Sequence, residues 1–450
     1  MKQEGLEKAD LIVLGGHVLC SDDPGRVITD GAVAVRDGRI LAVGSRETLM
    51  ARYVSGETLG GPDYAVMPGL VNGHTHVPMV YFRGMADDLP LKEWLERRIW
   101  PAETEWLSEA FCRDAAALAC LEMLKAGVTA FNNMYFFGDV TAEVTRTFGL
   151  RAVMGSGIID FPSKVASTVE EYLSNAEVQI ERWKGDPLIL PAVAPHAAYT
   201  CGPETLKKAF HLAERHDVPL HMHLSETAWE VSEIEKRYGR QPVQYLDGLG
   251  LLGPRLSVAH AVWLTAEEID LLRSREVSVI HCPESNLKLA AGFAPVADMV
   301  EAGLRVGFGT DGAASNNDQG IFPEMGTAAR VQKALKRDPT VLPAEQAVRM
   351  ATHDGARAIG LGEVTGSLET GKSADMICLH MWQPHLLPMY SLTSHLAYSA
   401  SSSDVHHVVV NGRILMRDRK VLSVDEAEVL ERARHWQARI FQWLARQEYA

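Results

Sequence analysis

At 450 residues the chain is too long for one simple compact domain, and it suits a barrel of roughly 250–300 residues with an accessory module. Apolar residues make up 46% and charged residues 23%, as in ordinary soluble globular proteins, and no run approaches the ~18 uninterrupted apolar residues of a membrane span. The formal charge of −14, from 44 Lys and Arg against 58 Asp and Glu, argues against nucleic acid or an anionic membrane as partner; a neutral or zwitterionic small molecule is expected instead.

Met1-Lys2-Gln3-Glu4 carries no apolar signal core, so a cytoplasmic protein is expected. Up to about residue 66 short β-rich runs alternate with turns: Leu11-Ile12-Val13-Leu14, then 31–35 leading into Asp37-Gly38, then 40–43. Asp-Gly between β-rich runs is a hairpin signal. The same texture returns at 375–379 and around Asn411-Gly412, ahead of an amphipathic helix over about 425–447. These ends predict a composite β-sandwich domain from 1–66 and 366–450, with the helix appended.

Between them the pattern alternates. Strand-like runs fall at 66–72, 128–132, 151–157, 188–194, 218–224, 256–259, 277–280 and 305–309, with helical stretches such as 109–125 and 203–215 between. Eight strands with intervening helices predict a (β/α)₈ TIM-like barrel over 67–365, in the α/β class. An open doubly wound sheet would favour a Gly-rich phosphate turn after its first strand, where this chain carries histidines. The six cysteines are scattered without a C-x-x-C pair and read as reduced, buried thiols. Ser399–Ser403 reads as a short flexible loop.

The first barrel run ends in Asn72-Gly73-His74-Thr75-His76. Residues i and i+2 of an extended segment project to one side, so the two imidazoles can share an ion. His223 stands at the end of the fifth run, His260 at the end of the sixth and Asp311 just after the eighth. Barrel enzymes gather their chemistry at the C-terminal ends of strands, so these residues should converge on a divalent metal, zinc first, with iron or manganese as alternatives. His221, one layer below His223, and His281 on the seventh run read as packing or lining residues; His211, His216, His406 and His407 read as structural or solvated.

The stretches P-G-L-V-N-G-H-T-H at 68–76, H-M-H-L-S-E-T at 221–227, H-C-P-E-S-N-L-K-L at 281–289 and G-T-D-G-A-A-S-N-N at 309–317 resemble the amidohydrolase superfamily, most closely its 5′-methylthioadenosine/S-adenosylhomocysteine deaminases. The resemblance implies that His74, His76, His223 and Asp311 hold the metal. It implies further that Glu226 contacts the purine ring and shuttles protons, that His260 sits beside the hydrolytic water, that Glu103 takes the ribose hydroxyls, and that His196 contacts substrate. Asp311 would also meet the water, and self-association is implied at the level of the family.

The chemistry agrees. Hydrolytic deamination needs a hydroxide at neutral pH and a group that moves protons between water, ring nitrogen and leaving ammonia, which Glu226, three residues past His223, is placed to supply. The fourth run carries no lysine to bridge two metals, so one ion is expected, and the absence of P-C-x-x-C excludes the cytidine-type deaminases. Aromatic and apolar residues at 81–95 and 134–137 are expected to cover the substrate. The arginines that the family uses on a homocysteine tail have no match after the third run, at Gly155-Ser156-Gly157 and Asp160-Phe161-Pro162. 5′-Methylthioadenosine is therefore the expected substrate, with adenosine and S-adenosylhomocysteine as alternatives. A guanine deaminase or triazine-type hydrolase is the rival enzyme, and a metal-free scaffold the rival of another class.

Overall fold

The computed structural model describes residues 6–23 and 25–447; Met1 to Glu4, on which the reading of the N-terminus rests, lie outside them. Its centre is a sheet of eight parallel strands: β1 (Leu70–Thr75), β2 (Val128–Tyr135), β3 (Arg151–Ile158), β4 (Ile189–Pro195), β5 (Leu220–Leu224), β6 (Leu256–His260), β7 (Ser278–His281) and β8 (Arg305–Phe308), paired in chain order. Each differs from its expected run by one to three residues, except where the first is cut: Gly69 separates β1 from a preceding strand, Thr58–Pro68, that belongs to the other sheet.

No ladder joins β1 to β8 among the described residues. The Asn72 side chain and one backbone bond close that seam. Asn72 Oδ1 accepts from the Thr310 amide (3.0 Å) while Asn72 Nδ2 donates to Thr310 Oγ1 (2.8 Å), and the Asp311 amide donates to the His74 carbonyl (2.9 Å). The strands approach so closely that a Cβ on Gly309 would stand 2.7 Å from the His74 nitrogen. The eighth strand therefore delivers Asp311 directly beside His74. Below this level the barrel is filled by Val71, Ala130, Val153, Ala192 and Ile280, all buried, so the site has a solid floor.

Both ends of the chain enter a second eight-stranded sheet, in the order Lys420–Val421, Arg413–Arg417, Val405–Val410, Met376–His380, Thr58–Pro68, Leu11–Leu19, Val27–Arg36, Arg39–Ser45. The join is antiparallel, with Met376 opposite Pro68 and His380 opposite Tyr64. Val13, Val33, Val66, Met376 and Val409 share one apolar core, which neither end could bury alone. The expected hairpins form: Asp37 and Gly38 both take left-handed backbone (φ 52° and 76°), as the two central residues of a tight hairpin turn require. That turn touches its C-terminal counterpart, and a Cβ on Gly412 would fall 2.8 Å from the Gly38 Cα.

A buried ion pair ties the two sheets together. Arg151, at the start of β3, meets Asp375 through Nε (2.9 Å to Oδ2) and Nη2 (3.3 Å to Oδ1). The helix Glu426–Gln447 returns to the barrel, setting Trp436 against Phe111 at 5.2 Å between ring centres. The serine run is a formed element: Ser401 caps a 3₁₀ turn, Ser402–Asp404, where a flexible loop was expected. All six cysteines are free and buried, and no helix among the described residues is long and apolar enough to cross a membrane.

Candidate metal centre and active site

The C-terminal ends of β1, β5, β6 and β8 carry His74, His76, His223, His260 and Asp311 into one place. Ligand atoms of His74, His223, His260 and Asp311 all lie within 4.8 Å of one another. His76 joins them, its Nε2 standing 3.2 Å from Asp311 Oδ1 and 3.3 Å from His223 Nε2. His260, expected beside the water, thus belongs to the same cluster. The local backbone is strained to present these groups: His260 and Asp311 sit at φ 72° and 63°, and Ser225, next to Glu226, at φ 51°. Left-handed non-glycine residues persist where the surroundings hold them, and such residues concentrate at functional sites.

The tautomers follow from the partners. His76 Nδ1 lies 2.5 Å from the Met134 carbonyl and His223 Nδ1 2.9 Å from the His196 carbonyl. A carbonyl only accepts, so both rings carry hydrogen on Nδ1 and turn a lone pair on Nε2 toward the centre. His260 Nδ1 bonds Asn286 Oδ1 in the same sense (2.9 Å). His74 Nε2 is buried, has no hydrogen-bond partner among the described residues, and stands 3.3 Å from Asp311 Oδ1. Burial holds the His74 ring down to about 4 and the His223 ring well below its ordinary value. His76 is held above its ordinary value, because Asp311 more than offsets the pull of burial. Inward lone pairs beside one carboxylate describe a cluster short of one positive centre, and this donor set fits a divalent cation.

Asp311 is itself fastened. Its Oδ2 accepts from the hydroxyls of Ser285 and Ser315, each at 2.7 Å, which leaves Oδ1 facing the histidines. Neither serine was singled out from the sequence, although both stand in the quoted 281–289 and 309–317 stretches; their partner becomes visible only when the loops after β7 and β8 meet. Asn286 and Glu230 were missed in the same way. Glu230 is buried and accepts from the amides of Ser225 (2.9 Å) and Glu226 (2.8 Å), clamping the turn that presents Glu226.

Glu226 is 5% exposed, and its carboxylate makes no side-chain hydrogen bond among the described residues. The His260 Nε2 lies 3.9 Å from its Oε2. Burial, with the neighbouring charge of Asp311, pushes the carboxyl up to about 8. Glu103 accepts from the Tyr135 hydroxyl at 2.5 Å and is pushed up to about 7 by burial. His196 bonds Thr200 Oγ1 (2.8 Å) and packs its ring 4.6 Å from that of His223.

The four clustered side chains other than His74, together with Glu226, His196 and Glu103, face one cavity of about 400 Å³. Leu91, Leu95, Ile99, Glu103 and Leu107 line it at every fourth position, through a π-helical turn at Leu95–Ile99. Trp94, Trp100, Tyr135, Phe136 and Phe161 complete an aromatic wall, with Met134 beside them. The expected cover from the loop after β1 is narrower than supposed. Tyr81 packs on Phe111 (5.4 Å) and Trp436 (6.2 Å) in the core, and Phe82, Arg83 and Phe137 do not reach the cavity. Lys164, exposed on the loop after β3, is the only lysine or arginine in the lining among the described residues.

The remaining histidines separate. His281 stands outside the cavity with its ring 6.4 Å from Phe308. His211 is exposed beside Glu214, His216 meets Glu177 and Glu181, and His406 stacks on His380 while His407 neighbours Asp418. His221 packs, as expected, but it also bonds His74 Nδ1 at 2.8 Å.

Comparison with known proteins places this arrangement. The amidohydrolase family profile matches residues 65–415, and a bacterial imidazolonepropionase-like composite domain matches residues 31–53. A 5-methylthioadenosine/S-adenosylhomocysteine deaminase of Syntrophobacter fumaroxidans is 48% identical over 96% of this chain and 98% of its own. A 5'-deoxyadenosine deaminase of Methanosarcina mazei is 43% identical over 94% of this chain and 97% of its own. Among solved structures, an adenosine deaminase from Xanthomonas campestris with bound zinc superposes with a TM-score of 0.96 at 43% identity, covering 97% of this chain and 100% of that one. The chain belongs to the amidohydrolase family and, within it, to the 5-methylthioadenosine/S-adenosylhomocysteine deaminase branch.

Proposed function

We propose that the protein deaminates an adenosine-like nucleoside hydrolytically, with 5′-methylthioadenosine as its preferred substrate. The observation that carries the reading is the buried Glu226 beside a cation-ready histidine and aspartate cluster, at the bottom of an apolar cavity. His74, His76, His223 and Asp311 would hold one divalent ion, zinc by donor chemistry and by the zinc in the Xanthomonas relative. Such an ion supplies the Lewis acidity that makes hydroxide available near neutral pH.

The chain's own groups then do the proton work. Glu226, whose carboxyl burial holds above its ordinary value, gives its proton to the purine ring nitrogen as the nucleophile adds to the amino-bearing carbon. The carboxylate so formed takes the remaining proton of the attacking oxygen and passes it to the amino group, which leaves as ammonia while the carbonyl forms. His260, with its Nδ1–H given to Asn286, keeps its other nitrogen for the attacking oxygen. Glu103 would accept from the ribose hydroxyls, and His196 would contact the substrate.

The aromatic wall suits a purine and an uncharged 5′ substituent, and Lys164, the one lysine or arginine of the lining among the described residues, is exposed. Ammonia release from 5′-methylthioadenosine, 5′-deoxyadenosine, adenosine, S-adenosylhomocysteine and guanine tests the proposal. The uncharged 5′ nucleosides should give the highest kcat/KM, whereas turnover of guanine alone would overturn it. We also propose a two-domain division close to the expected 1–66 with 366–450 and 67–365, moved to Gly69 because Met67 and Pro68 pair with Ile377 and Met376 of the outer sheet, and a cytoplasmic setting, supported by six unpaired cysteines.

A further inference from the structure

The four inward-facing imidazoles are oriented from behind, but not by equivalent partners. His76, His223 and His260 each donate Nδ1–H to an oxygen: the Met134 carbonyl, the His196 carbonyl and Asn286 Oδ1. His74 differs. Its Nδ1 meets His221 Nε2 at 2.8 Å, and an imidazole nitrogen can donate or accept. The other nitrogen of His221 lies 2.7 Å from Ser257 Oγ, and the ladder pairs His221 with Ser257 across β5 and β6. His74, His221 and Ser257 are 0%, 1% and 3% exposed, so no solvent reorients the chain.

We infer that His221 is a positioning residue that sets the tautomer of His74, and that Ser257 sets that of His221. When Ser257 Oγ accepts from His221 Nδ1–H, His221 Nε2 presents a lone pair and His74 must carry its hydrogen on Nδ1. His74 Nε2, without a hydrogen-bond partner among the described residues and 3.3 Å from Asp311 Oδ1, then turns its lone pair to the place a cation would take. With the opposite polarity a hydrogen on His74 Nε2 points into the cluster and removes one donor. A residue that merely filled space here would need no second polar partner, yet both ring nitrogens of His221 are satisfied. The inference rests on the proposed metal centre.

Competition between the purified full-length protein and a chromogenic chelator for Zn²⁺ tests it. His221→Leu, which keeps bulk and removes the acceptor, should weaken Zn²⁺ binding about 10–100-fold, as outer-shell substitutions typically do. His221→Gln, which returns an acceptor near the position of Nε2, should recover most of that affinity. Ser257→Ala touches none of the proposed ligands and should weaken binding severalfold. Wild-type affinity in His221→Leu, or equal losses in the Leu and Gln variants, would overturn the inference. If His221→Leu does not fold, Ser257→Ala decides, and an unchanged affinity there counts against it. A wild-type protein that bound no Zn²⁺ would instead overturn the metal centre itself.

Discussion

Replacing Glu226 by glutamine should separate chemistry from structure. The carboxylate makes no side-chain hydrogen bond among the described residues, and Glu230 holds the turn through the amides of Ser225 and Glu226, which the substitution leaves intact. The fold and the cation cluster should therefore survive, with Zn²⁺ content unchanged. A glutamine amide can still face the purine, but it cannot give up a proton and take another. General acid–base groups are typically worth 10²–10⁴ in rate, or about 3–5 kcal/mol of barrier at 1.36 kcal/mol per decade. The site lies toward the upper part of that range, because at 5% exposure no bulk water stands where Glu226 stands. Steady-state ammonia release from 5′-methylthioadenosine should show kcat down by about 10³–10⁴, with KM within about threefold. A metal-replete Glu226→Gln enzyme with kcat within threefold of wild type would refute the assignment.

Other consequences concern binding, support and stability. Glu103 is neutral below and ionised above a value that burial raises to about 7, and an ionised carboxylate accepts better from a ribose hydroxyl, so KM should fall as pH rises from 6 to 8. Glu103→Gln should flatten that profile; an unchanged inflexion would place its origin elsewhere. Ser285→Ala and Ser315→Ala each remove a 2.7 Å bond to Asp311 Oδ2, and hydrogen bonds to charged groups are worth about 1.5–3 kcal/mol. Each should lower kcat/KM by about tenfold or more, and full activity in the double variant would show that Asp311 needs no clamp. Asp375→Ala leaves the Arg151 guanidinium, 3% exposed, without its carboxylate, at a cost of about 3–5 kcal/mol. Urea unfolding should show an earlier transition, and an unmoved midpoint would remove the pair from the account of how the sheets hold together.

The sequence by itself determined the elements and the ends at which chemistry sits. Strand and helix periods, Asp-Gly and Asn-Gly turns, and histidines at the ends of apolar runs are local patterns, and every barrel strand after the first follows them to within three residues. The i, i+2 spacing of His74 and His76 needs no partner to be read. Tertiary structure decided which second residues support the first. Ser285 and Ser315 reach Asp311 from two loops, Asn286 reaches His260, and His221 reaches His74 across 147 positions, because parallel strands bring distant stretches side by side. The same distance effect hid Lys164 in the cavity lining and sent Tyr81 into the core instead of the cavity. A hydrogen-bond partner is a property of position in space, and the chain records only position along itself.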